Sequence, residues 1–187
     1  DLDDSAEVLI AILRTKLEGV DAQKQKETVE RGVNWLISMQ SKGGGWAAFD
    51  KDNDMTFLTK ILFFDFGETL DPPSVDVTAH VIELLGRMGI DKNLPYIQRA
   101  LEYIYQEQET DGSWFGRWGV NYIYGIGSVL PALEAIGEDM NQPAVKRAVK
   151  WLLAHQQENG GWGESCASYV DRTQHGKGPC TASQTAW

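Results

Sequence analysis

The sequence predicts an all-α protein, an α/α barrel or toroid of inner and outer helices that is incomplete over this stretch. Three observations carry the prediction. One 16-residue pattern recurs three times. A helical stretch of different character precedes each copy, and no strand pattern competes with either.

The elements follow in order. "DDSAEVLIAIL" opens the chain and is apolar nearly all round, as a helix buried on both sides should be. The first repeat unit, "RGVNWLISMQSKGGGW", runs from Arg31 to Trp46. A second apolar stretch, "DVTAHVIELLGRMG", leads to "RALEYIYQEQETDGSW", Arg99 to Trp114. A third, "NYIYGIGSVLPALEAIG", leads to "RAVKWLLAHQQENGGW", Arg147 to Trp162. The three units match at seven positions: Arg, a small residue, an aromatic (Trp35, Tyr103, Trp151), an aliphatic, Gln (Gln40, Gln108, Gln156), Gly and Trp.

The first part of each unit reads as the end of an amphipathic helix, and its Gly-rich tail as the stop, with Gly at the C′ position. The Gln is expected to bond backbone groups at a helix end, and the Trp to stack on the next unit. This repeat needs no chemistry to explain it. Buried helices alternating with amphipathic ones suit two concentric layers. A fourth inner helix starts in "CTASQTAW" and breaks off at Trp187. Three pairs and the start of a fourth do not close a ring. The expectation is therefore that residues 1–187 are part of a single catalytic α/α-barrel domain, a fragment of a longer chain.

Composition excludes several classes. Apolar residues are 42% of the chain and mean hydropathy is -0.33, which fits a soluble globular protein. No stretch reaches the roughly 18–20 consecutive apolar residues of a transmembrane helix, and no targeting signal is visible at the start. A net charge of -10 argues against nucleic acid and gives no pull toward anionic lipid. Cys166 and Cys180 are too few for a disulfide framework and form no CxxC pair, which reads as a reducing setting.

The polar residues of the inner helices are grouped. Asp1, Asp3 and Asp4 open the first; Asp76 and His80, at i and i+4 and so on one face, open the second; Trp118, Asn121, Tyr122 and Tyr124 open the third. Successive inner helices of a ring run parallel, so these groups converge at one end of the cavity above apolar walls. Taken singly, an Asp at a helix start is ordinarily a cap, a lone His on an apolar face a hydrogen-bonded core residue, and Tyr122 or Tyr124 a core aromatic. Their convergence argues for a site. A metal fits poorly. Catalytic zinc wants His and Cys ligands, and both cysteines lie far along the chain. A DDxxD magnesium pattern places acids at i, i+1 and i+4, whereas these fall at i, i+2 and i+3. No cofactor is expected.

"DLDDSA", "DVTAHV", "DGSWFGRWGVNYIYG", "GKGPCTASQTAW" and the three repeats together resemble the bacterial squalene–hopene cyclases, over the whole chain. The repeats look like that family's QW motifs and "DLDD" like its DxDD acid motif. The resemblance implies an isomerase that protonates a terminal alkene of squalene and carries it through polycyclic cations to hopene or hopanol, without metal. It makes Asp3 the proton donor, Asp1 and Asp4 its flanking carboxylates, His80 the histidine that activates the acid, and Asp76 the aspartate one turn before. Tyr124 becomes a tyrosine linked to the acid centre, and Trp118 a cavity aromatic near initiation. Phe66 and Phe49 become aromatics facing the cation, Phe49 standing where some members have tyrosine. Phe63 and Phe64 become a narrow entry, Phe64 replacing a smaller residue of some relatives. Tyr122, at the same ring end, joins the substrate-binding set. The resemblance also implies monotopic association with the cytoplasmic side of the bacterial membrane through other parts of the chain, and leaves a homodimer open.

That chemistry agrees with the residues. Protonating an alkene needs a strong acid, and carboxylates clustered in an apolar pocket cannot all ionise. A protonated His80 favours the conjugate base, and aromatic faces stabilise each cation by roughly 0.5–2 kcal/mol. A dry cavity keeps water from the cation. Competing readings are a cyclase of another polyprene, of class II diterpene or sesquarterpene type, and a non-catalytic helical toroid with its acids as caps. Oxidosqualene cyclases carry DCTAE instead of DxDD. A helical-barrel glycosidase would want a polar, open cleft.

Overall fold

A computed structural model of the chain describes residues 1–55 and 70–187. In chain order its α-helices are α1 (Leu2–Arg14), α2 (Gly19–Ser38), α3 (Val75–Arg87), α4 (Pro95–Gln106), α5 (Tyr122–Ala135), α6 (Pro143–His155) and α7 (Ala182–Ala186). Two short 3-10 turns, Cys166–Tyr169 and Arg172–Gln174, lie between α6 and α7. Among the described residues β pairing is limited to two isolated antiparallel bridges, Trp46 with Ser74 and Asn53 with Asp71.

The two-layer arrangement is the expected one. α3 packs between α1 and α5, while α2, α4 and α6 lie against α1, α3 and α5 respectively. α3 is buried nearly all round, from Val75 through Leu85. Its end approaches that of α5 so closely that a Cβ on Gly86 would stand 2.4 Å from the Ala135 carbonyl carbon. α1 departs from the expectation. Leu2, Ala6, Leu9 and Ile10 are buried, but Val8 is 55% exposed and Leu13 is exposed too. Among the described residues α1 has α3 alone as an extensive inner-layer neighbour, so one apolar flank stays uncovered.

The repeat ties the outer helices together through hydrogen bonds. Gln40 Nε2 donates to the carbonyls of Gly44 (2.7 Å) and Tyr96 (2.8 Å), the latter in the first turn of α4. Gln108 does the same to Gly112 and Ala144, the latter in α6. The Arg of the following unit donates back, Arg99 to Gln40 Oε1 (2.6 Å) and Arg147 to Gln108 Oε1. One sequence expectation is corrected here. The helices end at Ser38, Gln106 and His155, and the repeat glycines sit beyond them in tight turns with φ near +97°, +97° and +84°. A side chain is excluded at Gly44 because its Cβ would lie 2.3 Å from the Arg99 carbonyl. The repeat Trp also makes a bond within its own unit that the pattern did not announce. Trp46, Trp114 and Trp162 each donate Nε1 back to a carbonyl near the end of their own unit's helix: Leu36 (2.7 Å), Ile104 (2.7 Å) and Leu152 (2.9 Å). The indole thus supplies a donor to a carbonyl in the last turn of the helix, where intrahelical partners run out; the Leu36 carbonyl also accepts from the Met39 N–H.

Candidate active site

Each inner helix starts at a fixed point. Asp1 caps α1, its Oδ1 accepting from the backbone N–H of Asp3 (2.9 Å) and Asp4 (3.2 Å), while Leu2 N–H donates to the Ala48 carbonyl (2.7 Å). Ser74 N–H bonds the Trp46 carbonyl, and Trp46 N–H bonds Thr78 Oγ1 within α3. The start of α5 is held by Glu164, which is 5% exposed. Its Oε2 accepts from the N–H groups of Asn121 (3.2 Å), Tyr122 (2.9 Å) and Ile123 (2.9 Å), and its Oε1 from Gly176 (3.0 Å). A carboxylate set against the first turn of a helix satisfies donors that have no partner within it.

These anchors bring the first turns of α1, α3 and α5 together. Asp3 Oδ1 lies 2.5 Å from His80 Nδ1, with the two side chains 21% and 14% exposed. Burial alone would lower the pKa of His80. The hydrogen bond and charge of Asp3, reinforced by Glu7 and Asp76, outweigh it and leave His80 above its ordinary 6.5. Asp76, one turn earlier on α3, is wholly buried; Oδ2 accepts from Trp118 N–H (2.8 Å), and Oδ1 has no partner among the described residues. The Tyr124 ring stands 6.1 Å from that of His80 at 75°. Burial, with the charges of Asp3, Asp76 and Glu7, pushes its phenol pKa up, so it remains a neutral O–H. Trp118 and Phe49 meet edge to face at 5.7 Å, and both are exposed. Asp71 positions Phe49 by accepting from the N–H groups of Ala48, Phe49 and Asp50.

The sequence-derived set therefore divides. Asp3, His80, Asp76, Tyr124, Trp118 and Phe49 come together where the inner helices begin. Asp1 is the cap of α1, and Asp4 is exposed in its first turn. Tyr122 is corrected. Two residues before Tyr124, it falls on the other side of α5, where its ring lies on His175 (3.6 Å) and against Phe115 (5.8 Å), away from the acid pair. Phe63, Phe64 and Phe66 lie outside the described residues. Sequence reasoning missed Glu164 and Asp71. Neither recurs in the repeat, and each acts on backbone distant in sequence. It also missed Glu7, Glu83 and Ser128, which share a pocket with Asp3, His80 and Tyr124. Their spacing of three or four residues from those side chains was readable.

Fold and site together define a class: an all-α toroid of Gln-Trp repeats with a carboxylate–histidine pair where its inner helices begin. The chain belongs to the squalene-hopene cyclase family, the model of the squalene-hopene cyclase C-terminal domain matching residues 1–187. It is 57% identical over 187 residues to a squalene–hopene cyclase of Alicyclobacillus acidocaldarius, covering 100% of this chain and 29% of that protein. It is 52% identical over 187 residues to one from Schizosaccharomyces japonicus (100% and 28%) and 45% identical over 188 residues to one from Zymomonas mobilis (100% and 29%). The chain spans less than a third of the length of these curated relatives.

Proposed function

We propose that this chain supplies the acid centre of a triterpene cyclase that converts squalene to hopene or hopanol, with Asp3 as proton donor. The 2.5 Å contact between Asp3 and His80 carries the reading. In the proposed step the Asp3 O–H bond breaks as a C–H bond forms at a terminal alkene carbon, leaving a tertiary carbocation. His80, cationic over a wider pH range than a free histidine, stabilises the carboxylate left behind. Asp1 positions Asp3 by capping its turn, Asp76 holds the Trp118 backbone, and Asp4 adds negative charge to the first turn of α1. Tyr124 adds a neutral hydroxyl beside it. The faces of Trp118 and Phe49, with Phe66 as a further candidate, stabilise cations by roughly 0.5–2 kcal/mol per ring. Phe63 and Phe64 form the entry in this proposal. The reaction ends when the last cation loses a proton or takes up water.

Residues 1–187 are read as part of one catalytic domain, a view that the uninterrupted repeat supports. The relatives' names support squalene as the substrate. Monotopic attachment to the cytoplasmic side of a membrane, through chain beyond these residues, fits a lipid substrate; among the described residues no helix is long and apolar enough to cross a membrane. Incubating the full-length enzyme with squalene in detergent, with products separated by gas chromatography and mass spectrometry, tests the function. Pentacyclic hopene or hopanol is expected. Unchanged squalene would overturn the reading.

A further inference from the structure

Acid-initiated cyclisation, the reading on which this inference rests, strips the acid of its proton once per turnover. The proton enters at one end of the substrate. The last proton leaves from the other end, or water adds there, and neither returns to Asp3. The acid must be recharged from solvent, although the cavity it serves excludes water.

One turn below the acid layer the inner helices carry a second polar layer. Glu7 lies four residues after Asp3 on α1, Glu83 three after His80 on α3, and Ser128 four after Tyr124 on α5. At those spacings each stays on the face of its predecessor. Both layers line one pocket of about 410 Å³, closed on another side by Gly127 and Trp187. At roughly 30 Å³ of liquid volume each, about a dozen waters fit such a space. Arg87 engages Glu83 through Nε (2.7 Å) and a terminal nitrogen (2.5 Å). Glu7 is exposed and, among the described residues, makes no ion pair.

We propose that Glu7 is the proton-entry residue of the site, taking a proton from solvent and passing it through pocket water to Asp3. The Glu7 O–H bond breaks as an O–H bond forms on Asp3, and Glu7 takes its next proton from hydronium or buffer acid. Asp3 Oδ1 is engaged by His80, so Oδ2 receives the proton. The titratable and charged groups around this path are Asp3 on α1, Asp76, His80, Glu83 and Arg87 on α3, and Tyr124 on α5.

Rapid-quench and steady-state turnover of squalene by the full-length enzyme test the proposal, with wild type, Glu7→Gln and Glu7→Asp compared. Glu7→Gln is expected to complete its first turnover at the wild-type rate and then to slow by roughly tenfold or more. KM falls in step with the steady-state rate so that kcat/KM holds, the product mixture stays unchanged, added formate restores part of the rate, and Glu7→Asp keeps most of it. A first turnover slowed as much as later ones, or a steady state equal to wild type, would overturn the role of Glu7. Wild-type enzyme that forms no cyclic product would instead overturn the cyclase reading itself, and the proposal with it.

Discussion

The 2.5 Å contact between Asp3 Oδ1 and His80 Nδ1 requires a proton between oxygen and nitrogen, and so links the acid to the ionisation of the histidine. Because the folded pKa of His80 is raised above 6.5, the pair's stabilisation is fully present below 6.5 and is lost as pH rises through the raised value. Denaturant unfolding of wild type and His80→Asn across pH checks this. The variant is expected to be about 1–3 kcal/mol less stable at acid pH, with the gap closing as pH rises; a gap that widens with pH would contradict the assignment. The same coupling predicts that Asp3→Asn lowers the His80 pKa measured by NMR, because the largest favourable partner loses its charge.

The helices and their junctions show which parts of the fold could be read in advance. The alternation of α1, α3 and α5 with α2, α4 and α6 was legible because burial on both sides and amphipathicity leave different patterns. The convergence of Asp3, His80 and Tyr124 followed from parallel inner helices. Tyr122 went wrong because a two-residue step turns the side chain to another face of α5. Glu164 was invisible because its partners are backbone N–H groups some forty residues away, which leave no residue-type signature. Glu164→Gln places an amide N–H against some of these donors and is expected to destabilise the chain by on the order of 3 kcal/mol. Since Tyr124 rides on the same helix, turnover should fall as well. Wild-type melting in that variant would contradict the clamp. Trp114→Phe leaves the Ile104 carbonyl without its indole partner, at about 1–3 kcal/mol, and Trp46→Phe costs less, because the Leu36 carbonyl keeps the Met39 N–H. Melting temperature should fall while the product profile holds; a changed profile at unchanged melting temperature would place these indoles in the cavity chemistry.

At the scale of the whole chain, residues 1–187 present apolar surface that they leave uncovered themselves, including Val8 and Leu13 on α1, Trp118 near the acid and Trp187 just past α7. Residues 1–187 expressed alone are therefore expected to bind hydrophobic dyes or aggregate, and to form no pentacycle from squalene, because an acid centre open to water hydrates its carboxylates and quenches cations. Product from the isolated piece above an Asp3→Asn control would show that it is sufficient by itself. The central claim is that Asp3 delivers a solvent-derived proton to the substrate. Turnover of squalene in D2O by the full-length enzyme, compared with its Asp3→Asn variant, tests it most directly, with mass spectrometry of the product and melting curves of both proteins. Wild type should give hopene carrying one deuterium on the first-ring methylene carbon that arises from the protonated alkene CH, and Asp3→Asn should give no product while melting as wild type does. Near-normal yield from Asp3→Asn, or a wild-type product free of deuterium, would contradict it.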